Sequence, residues 1–167
     1  MRADIADAIA LHRAVDGYTD RHPIVAEAKA RFEPPLRRYA GVALDLYFDH
    51  CLTRAWSDYA AFEFDAFIDD TYEHLQSGLD SLDLPEETHR FVDAMISNDW
   101  LRAFVDFEGV ENALARLNHA IRRRFAREVD LRPLGLELSR LAPDLDRAFV
   151  VLFPDLVGFV ETRRVGS

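Results

Sequence analysis

A chain of 167 residues, 49% hydrophobic and 30% charged, can bury a sizeable core without disulfides or metals as staples. Its formal net charge of −10 opposes wholesale binding to nucleic acid, because such binding draws most of its affinity from Lys and Arg neutralising phosphates. No apolar run approaches the ~20 residues that cross a bilayer, and the opening MRADIADAIALHR carries acids where a signal peptide is basic and then apolar, so a cytoplasmic protein away from membranes is expected.

Helical periodicity recurs along the chain, and alternating β-branched runs joined by tight Asn-Gly or Asp-Gly turns are absent. The expected fold class is therefore all-α, a single domain over 1–167 built as a bundle of about seven or eight helices. A first helix runs through IADAIALHRAV and stops near Gly17, after which Thr19 or Asp20 can cap a second helix beginning around Pro23. A third starts at Pro34-Pro35 and continues past Trp56, a fourth covers Phe62 to Leu79, a fifth follows Pro85 through Leu101, and a sixth spans Val110 to Arg123. The tail reads as two helical pieces bent near Pro143 and Pro154. No repeat, Gly/Ser linker or low-complexity tract marks a domain boundary.

Two helices carry polar residues where apolar ones belong. At about 100° per residue, Ile5, Ile9, His12 and Asp16 fall on one stripe of the first helix, which places a His and an Asp on the face expected to be buried. At i and i+4 the two can share a ligand or bond each other. The third helix, RRYAGVALDLYFDHCLTRAW, is apolar nearly all round, as in a central helix, yet it holds Asp45 and Asp49 one turn apart and His50 about 100° away. A buried unpaired carboxylate costs several kcal/mol, so these acids need a proton, a cationic partner or a metal. The plainer alternatives are a His12–Asp16 pair tying helices together, and Asp45 or Asp49 facing Arg38, Arg13 or Arg54. A mixed His/Asp set without cysteine suits Mn²⁺, Mg²⁺ or Fe²⁺ before structural zinc.

Other candidates are weaker. Cys51 has no partner cysteine and reads as core filler, and His74, His89 and His119 sit in polar surroundings. GxSxG, P-loop, GxGxxG and HExxH motifs do not occur, which removes the nucleophile elbow, the nucleotide cradle and the zincin site. Arginines cluster at Arg37 and Arg38, at Arg122, Arg123, Arg124 and Arg127, and at Arg163 and Arg164, as a local basic patch or as helix-end caps paired with acids.

The segments LHRAVDGYTDRHPIV and RRYAGVALDLYFDHCLTRAW resemble the acyl carrier protein phosphodiesterase family, and the likeness continues more thinly through Trp100-Leu101, the Gly109 region, the arginine cluster and FPDL at 153–156. That resemblance implies an HD-like helical fold and hydrolysis of the phosphodiester joining 4′-phosphopantetheine to a serine of holo acyl carrier protein, with a divalent cation, Mn²⁺ first and Mg²⁺ or Fe²⁺ next. It places His12, Asp16, Asp49 and His50 at the metal, with Asp20 or Asp45 orienting the attacking water, and it makes acyl carrier protein the partner. Because that partner is acidic, Arg37, Arg38, Arg122, Arg123 and Arg124 are the expected docking face. The family pattern begins with a His- and Asp-bearing segment ahead of the first motif shared here, so an incomplete metal shell is also an expectation. Two other functions fit the residues: a phosphohydrolase of nucleotides or other small phosphodiesters, and a helical module that binds acyl carrier protein without turning it over.

Overall fold

The computed structural model describes residues 2–125 and 130–165, with side chains over 7–122 and 130–163. The described residues are all-α, with nine α-helices and no strand: α1 (Arg2–Arg21), α2 (Pro23–Ala30), α3 (Ala40–Arg54), α4 (Trp56–Tyr59), α5 (Phe64–Ser81), α6 (Glu86–Ser97), α7 (Trp100–Ala103), α8 (Phe107–Phe125) and α9 (Pro133–Val165). A 3-10 turn over Leu36–Tyr39 leads into α3. The chain divides into two compact units, residues 1–47 with 130–167, and residues 48–129; the division falls inside α3, where no change in composition signals it.

In the first unit α1, α2 and α9 pack on one another. The helix α9 buries Leu134, Leu138, Leu141, Leu145, Ala148, Phe149 and Leu152, the 3–4 spacing of a core-facing helical stripe. The expected bends at Pro143 and Pro154 do not divide α9, which runs unbroken for 33 residues. Each proline frees the carbonyl four residues back, on Ser139 and Val150. All four residues lie on the exposed side of α9, where water can take up those carbonyls.

The first helix also runs further than expected, through Gly17 to Arg21. A single helical glycine costs only about 1 kcal/mol relative to alanine, whereas Pro23 forces its predecessor out of the α region. His22 is accordingly extended (φ −68°, ψ 129°), and its side chain, rather than Thr19 or Asp20, caps α2. Its Nδ1 accepts from Ile24 N–H (3.3 Å), so Nε2 carries the proton that meets Asp155 Oδ2 at 3.2 Å.

The second unit holds α4 to α8 and the end of α3. Its buried side chains include Cys51, Ile68, Leu79, Val92, Phe104 and Leu114. The expected helix past Trp56 breaks at Ala55, and the expected helix through Leu101 breaks at Asp99, which adopts a left-handed φ of 48°. Arg102 holds this break: it donates to Asp65 Oδ1 (2.8 Å), Asp69 Oδ1 (2.6 Å) and Asp99 Oδ1 (3.2 Å), while Tyr72 Oη accepts from Leu101 N–H (3.0 Å). Those carboxylates push the Arg102 pKa above its ordinary value, Asp65 most and Asp69 next.

Candidate active site

The first unit gathers three of the expected site carboxylates with a lysine. Asp16 and Asp20 lie one turn apart on α1, and Lys29, on α2, donates from Nζ to Asp20 Oδ1 at 2.8 Å. Lys29 also lies over Gly41 of α3, where a β-carbon would come 3.8 Å from its Nζ, and one turn beyond Gly41 stands Asp45. Asp45 keeps solvent access, yet partial burial raises its carboxyl above the ordinary carboxylate range. The charge of Asp20 raises it further, Lys29 pulls it back, and Asp16 adds a smaller upward push. Asp45 thus sits in a field of carboxylates with one compensating cation, and it holds its proton more firmly than an ordinary aspartic acid does. A carboxyl with a raised pKa is suited to holding or moving a proton.

His12 and Asp16 bond each other, Nδ1 to Oδ2 at 2.9 Å, with side chains 77% and 60% exposed. The expected burial of that stripe is therefore not found, and Ile9 on the same stripe is 47% exposed; the side chain of Ile5 lies outside the described residues. The first helix shows a polar face to solvent here, and a short polar pair needs no metal to satisfy it. The pair bonds within α1, whereas the plainer sequence reading had it joining two helices.

His50 is buried as expected of α3, and Asp49 beside it is exposed. His50 Nδ1 donates to the Phe104 carbonyl at 2.6 Å, and Thr53 Oγ1 donates to the same oxygen at 2.8 Å. Fixing Nδ1 as the protonated nitrogen leaves the ring lone pair on Nε2. Metal-ligating histidines are held this way, and so are core histidines. Asp16, Asp20 and Asp45 fall in the first unit, and Asp49 and His50 in the second.

Among the described residues no three His, Cys, Asp or Glu side chains come together closely enough to hold a metal ion. Lys29 was missed in the sequence because nothing in its spacing marks it: it reaches Asp20 by the turn between α1 and α2, nine residues on.

Of the arginines expected on a docking face, Arg37 donates from Nε to the Phe32 carbonyl (2.9 Å) and Arg38 lies over the Tyr39 ring (4.8 Å); neither meets a carboxylate among the described residues. Arg122 is exposed, and the side chains of Arg123 and Arg124 lie outside the described residues, as does Arg127. Among the described residues no helix is long and apolar enough to cross a membrane.

The sequence profile of the acyl carrier protein phosphodiesterase family matches residues 1–156. Similar curated proteins include acyl carrier protein phosphodiesterases of Salmonella agona (strain SL483), Salmonella dublin and Salmonella newport (strain SL254), each 35% identical over 115 residues that cover 66% of this chain and 57% of the relative. The chain thus spans little more than half the length of the curated relatives it matches. No solved structure matches it. With a family profile matched over nearly its whole length, the chain belongs to the acyl carrier protein phosphodiesterase family.

Proposed function

We propose that this chain hydrolyses the phosphodiester between 4′-phosphopantetheine and the serine of holo acyl carrier protein, giving the apo-protein and free 4′-phosphopantetheine. The observation that carries this reading is the family match over residues 1–156, which takes in every carboxylate of the cluster. Within it, Asp45 is the group that takes the proton of the attacking water, since its environment favours the protonated form. Asp20 is a positioning residue, because its ion pair fixes Lys29 beside Asp45. A requirement for Mn²⁺, with Mg²⁺ or Fe²⁺ as substitutes, belongs to the same reading by resemblance alone. Dialysis against EDTA, with each metal added back, measures that requirement.

The test is the intact mass of holo acyl carrier protein after incubation with the purified chain and Mn²⁺. Conversion to the apo mass supports the proposal. Turnover of small phosphodiesters with the holo-protein untouched would support the small-substrate reading instead, and binding without conversion would identify a non-catalytic module. Arg37 and Arg38, which meet no carboxylate among the described residues, support a docking role in the first unit, and Arg122, Arg123 and Arg124 are candidates for one in the second. Replacing Arg37 and Arg38 by Glu should raise KM for holo acyl carrier protein several-fold at low salt with kcat little changed, because rim charges act mainly on association. An unchanged KM would remove these residues from the docking face.

A further inference from the structure

The second unit presents an aromatic and cationic face with no role in the cluster above. Trp100 opens α7 and takes the guanidinium of Arg116 from α8 over its ring at 4.2 Å. Phe91 of α6 meets the same ring edge-on at 5.6 Å and is 58% exposed, among the most exposed large hydrophobic side chains of the protein. Arg116 is half-buried, and burial alone lowers its pKa.

Arg116 stands apart from the ion-paired arginines of the protein. Arg31, Arg102, Arg132, Arg140 and Arg147 each meet a carboxylate, but Arg116 meets none among the described residues. The acid beside Trp100, Asp99, is already engaged by Arg102 at 3.2 Å. Arg90 next to Phe91, and His119 one turn beyond Arg116, are further groups without a carboxylate partner among the described residues, and Arg90 is exposed. In a chain of net charge −10, an exposed phenylalanine and an arginine without a carboxylate partner among the described residues meet on one indole ring. Partial burial strips hydration from the Arg116 guanidinium, and a charge-assisted hydrogen bond from an incoming carboxylate would offset that loss.

We propose that Phe91, Trp100 and Arg116 form a docking anchor for an acidic protein surface that presents an apolar side chain, and that the surface is that of acyl carrier protein; the second clause rests on the function proposed above. Phe91 takes the partner's apolar side chain and Arg116, oriented by Trp100, takes its carboxylate. Aromatic residues and arginine in adjoining, partly desolvated positions are the composition of interface hot spots. The anchor contributes no side chain to the carboxylate cluster, so it acts on affinity and not on the chemical step.

Isothermal titration of apo acyl carrier protein into the wild-type chain and into Phe91→Ala, Arg116→Gln and Arg116→Lys variants tests this, alongside turnover of the holo-protein. Phe91→Ala removes an exposed side chain and should leave the melting temperature unchanged. The expected result is at least a tenfold weaker Kd for Phe91→Ala and Arg116→Gln, partial recovery in Arg116→Lys, and a wild-type Kd that weakens with added salt. Wild-type-like Kd values in a folded Phe91→Ala and in either Arg116 variant would overturn the anchor while leaving the proposed reaction standing. A wild-type chain that neither binds nor converts acyl carrier protein would overturn both.

Discussion

Single side chains here are governed by what shares their burial. Glu137 is a clear case: it is 8% exposed, accepts from Glu33 N–H at 2.9 Å, and meets Arg140 at 2.7 Å. The Arg140 hydrogen bond, set against desolvation and helped by the Glu33 N–H, lowers its pKa below the ordinary carboxylate value. A carboxyl with a lowered folded pKa adds stability above its unfolded pKa of about 4.5, and that stability is lost as pH falls through the folded value. Glu137→Gln should therefore cost about 1–3 kcal/mol at pH 7, with the difference from wild type shrinking in urea titrations run toward pH 3. Asp45 has the opposite sign. Its folded pKa is raised, so its effect on stability is favourable below the ordinary value of 3.8 and turns unfavourable as pH rises through the folded value. Asp45→Asn should melt above wild type at pH 7, match it near pH 3, and abolish turnover; a lower melting temperature at pH 7 would contradict the raised pKa.

At the scale of elements, the described breaks and continuities follow from a few contacts. A β-carbon at Gly109 would come 1.9 Å from the Ala103 carbonyl oxygen, so only glycine lets α8 start so close to α7. Gly109→Ala should lose about 1–3 kcal/mol of stability in urea unfolding; an unchanged midpoint would mean that α7 and α8 separate freely. Arg102→Ala should lower the melting temperature by leaving Asp65, Asp69 and Asp99 facing one another, and added salt should recover part of the loss by screening them. Much of this level was legible in the sequence: α2, α5 and α8 lie within a few residues of their periodic stripes, and Pro23 and Pro85 mark helix starts. What was not legible depended on surroundings. Pro143 and Pro154 leave α9 whole because their freed carbonyls face solvent, and Arg102 reaches partners 33 and 37 residues away, a separation no local pattern encodes.

For the whole molecule, the all-α class and the family were both readable from the chain, the second because LHRAVDGYTDRHPIV and RRYAGVALDLYFDHCLTRAW keep their residues in order. The candidate site was readable only in part. Hydrophobic patterning found the His12–Asp16 pair but put it on a buried face, because a stripe on a helical wheel does not say whether another element covers it. Asp20 and Asp45 were named without the lysine that sets their electrostatics. The reaction proposed for this cluster is phosphodiester hydrolysis on acyl carrier protein. Its most direct test is the intact mass of holo acyl carrier protein after incubation with wild type and with Asp45→Asn, each folded and supplied with Mn²⁺. Wild type should convert the holo-protein to the apo mass, and the variant should leave the holo mass unchanged. Equal conversion by both, or none by wild type, would contradict that proposal.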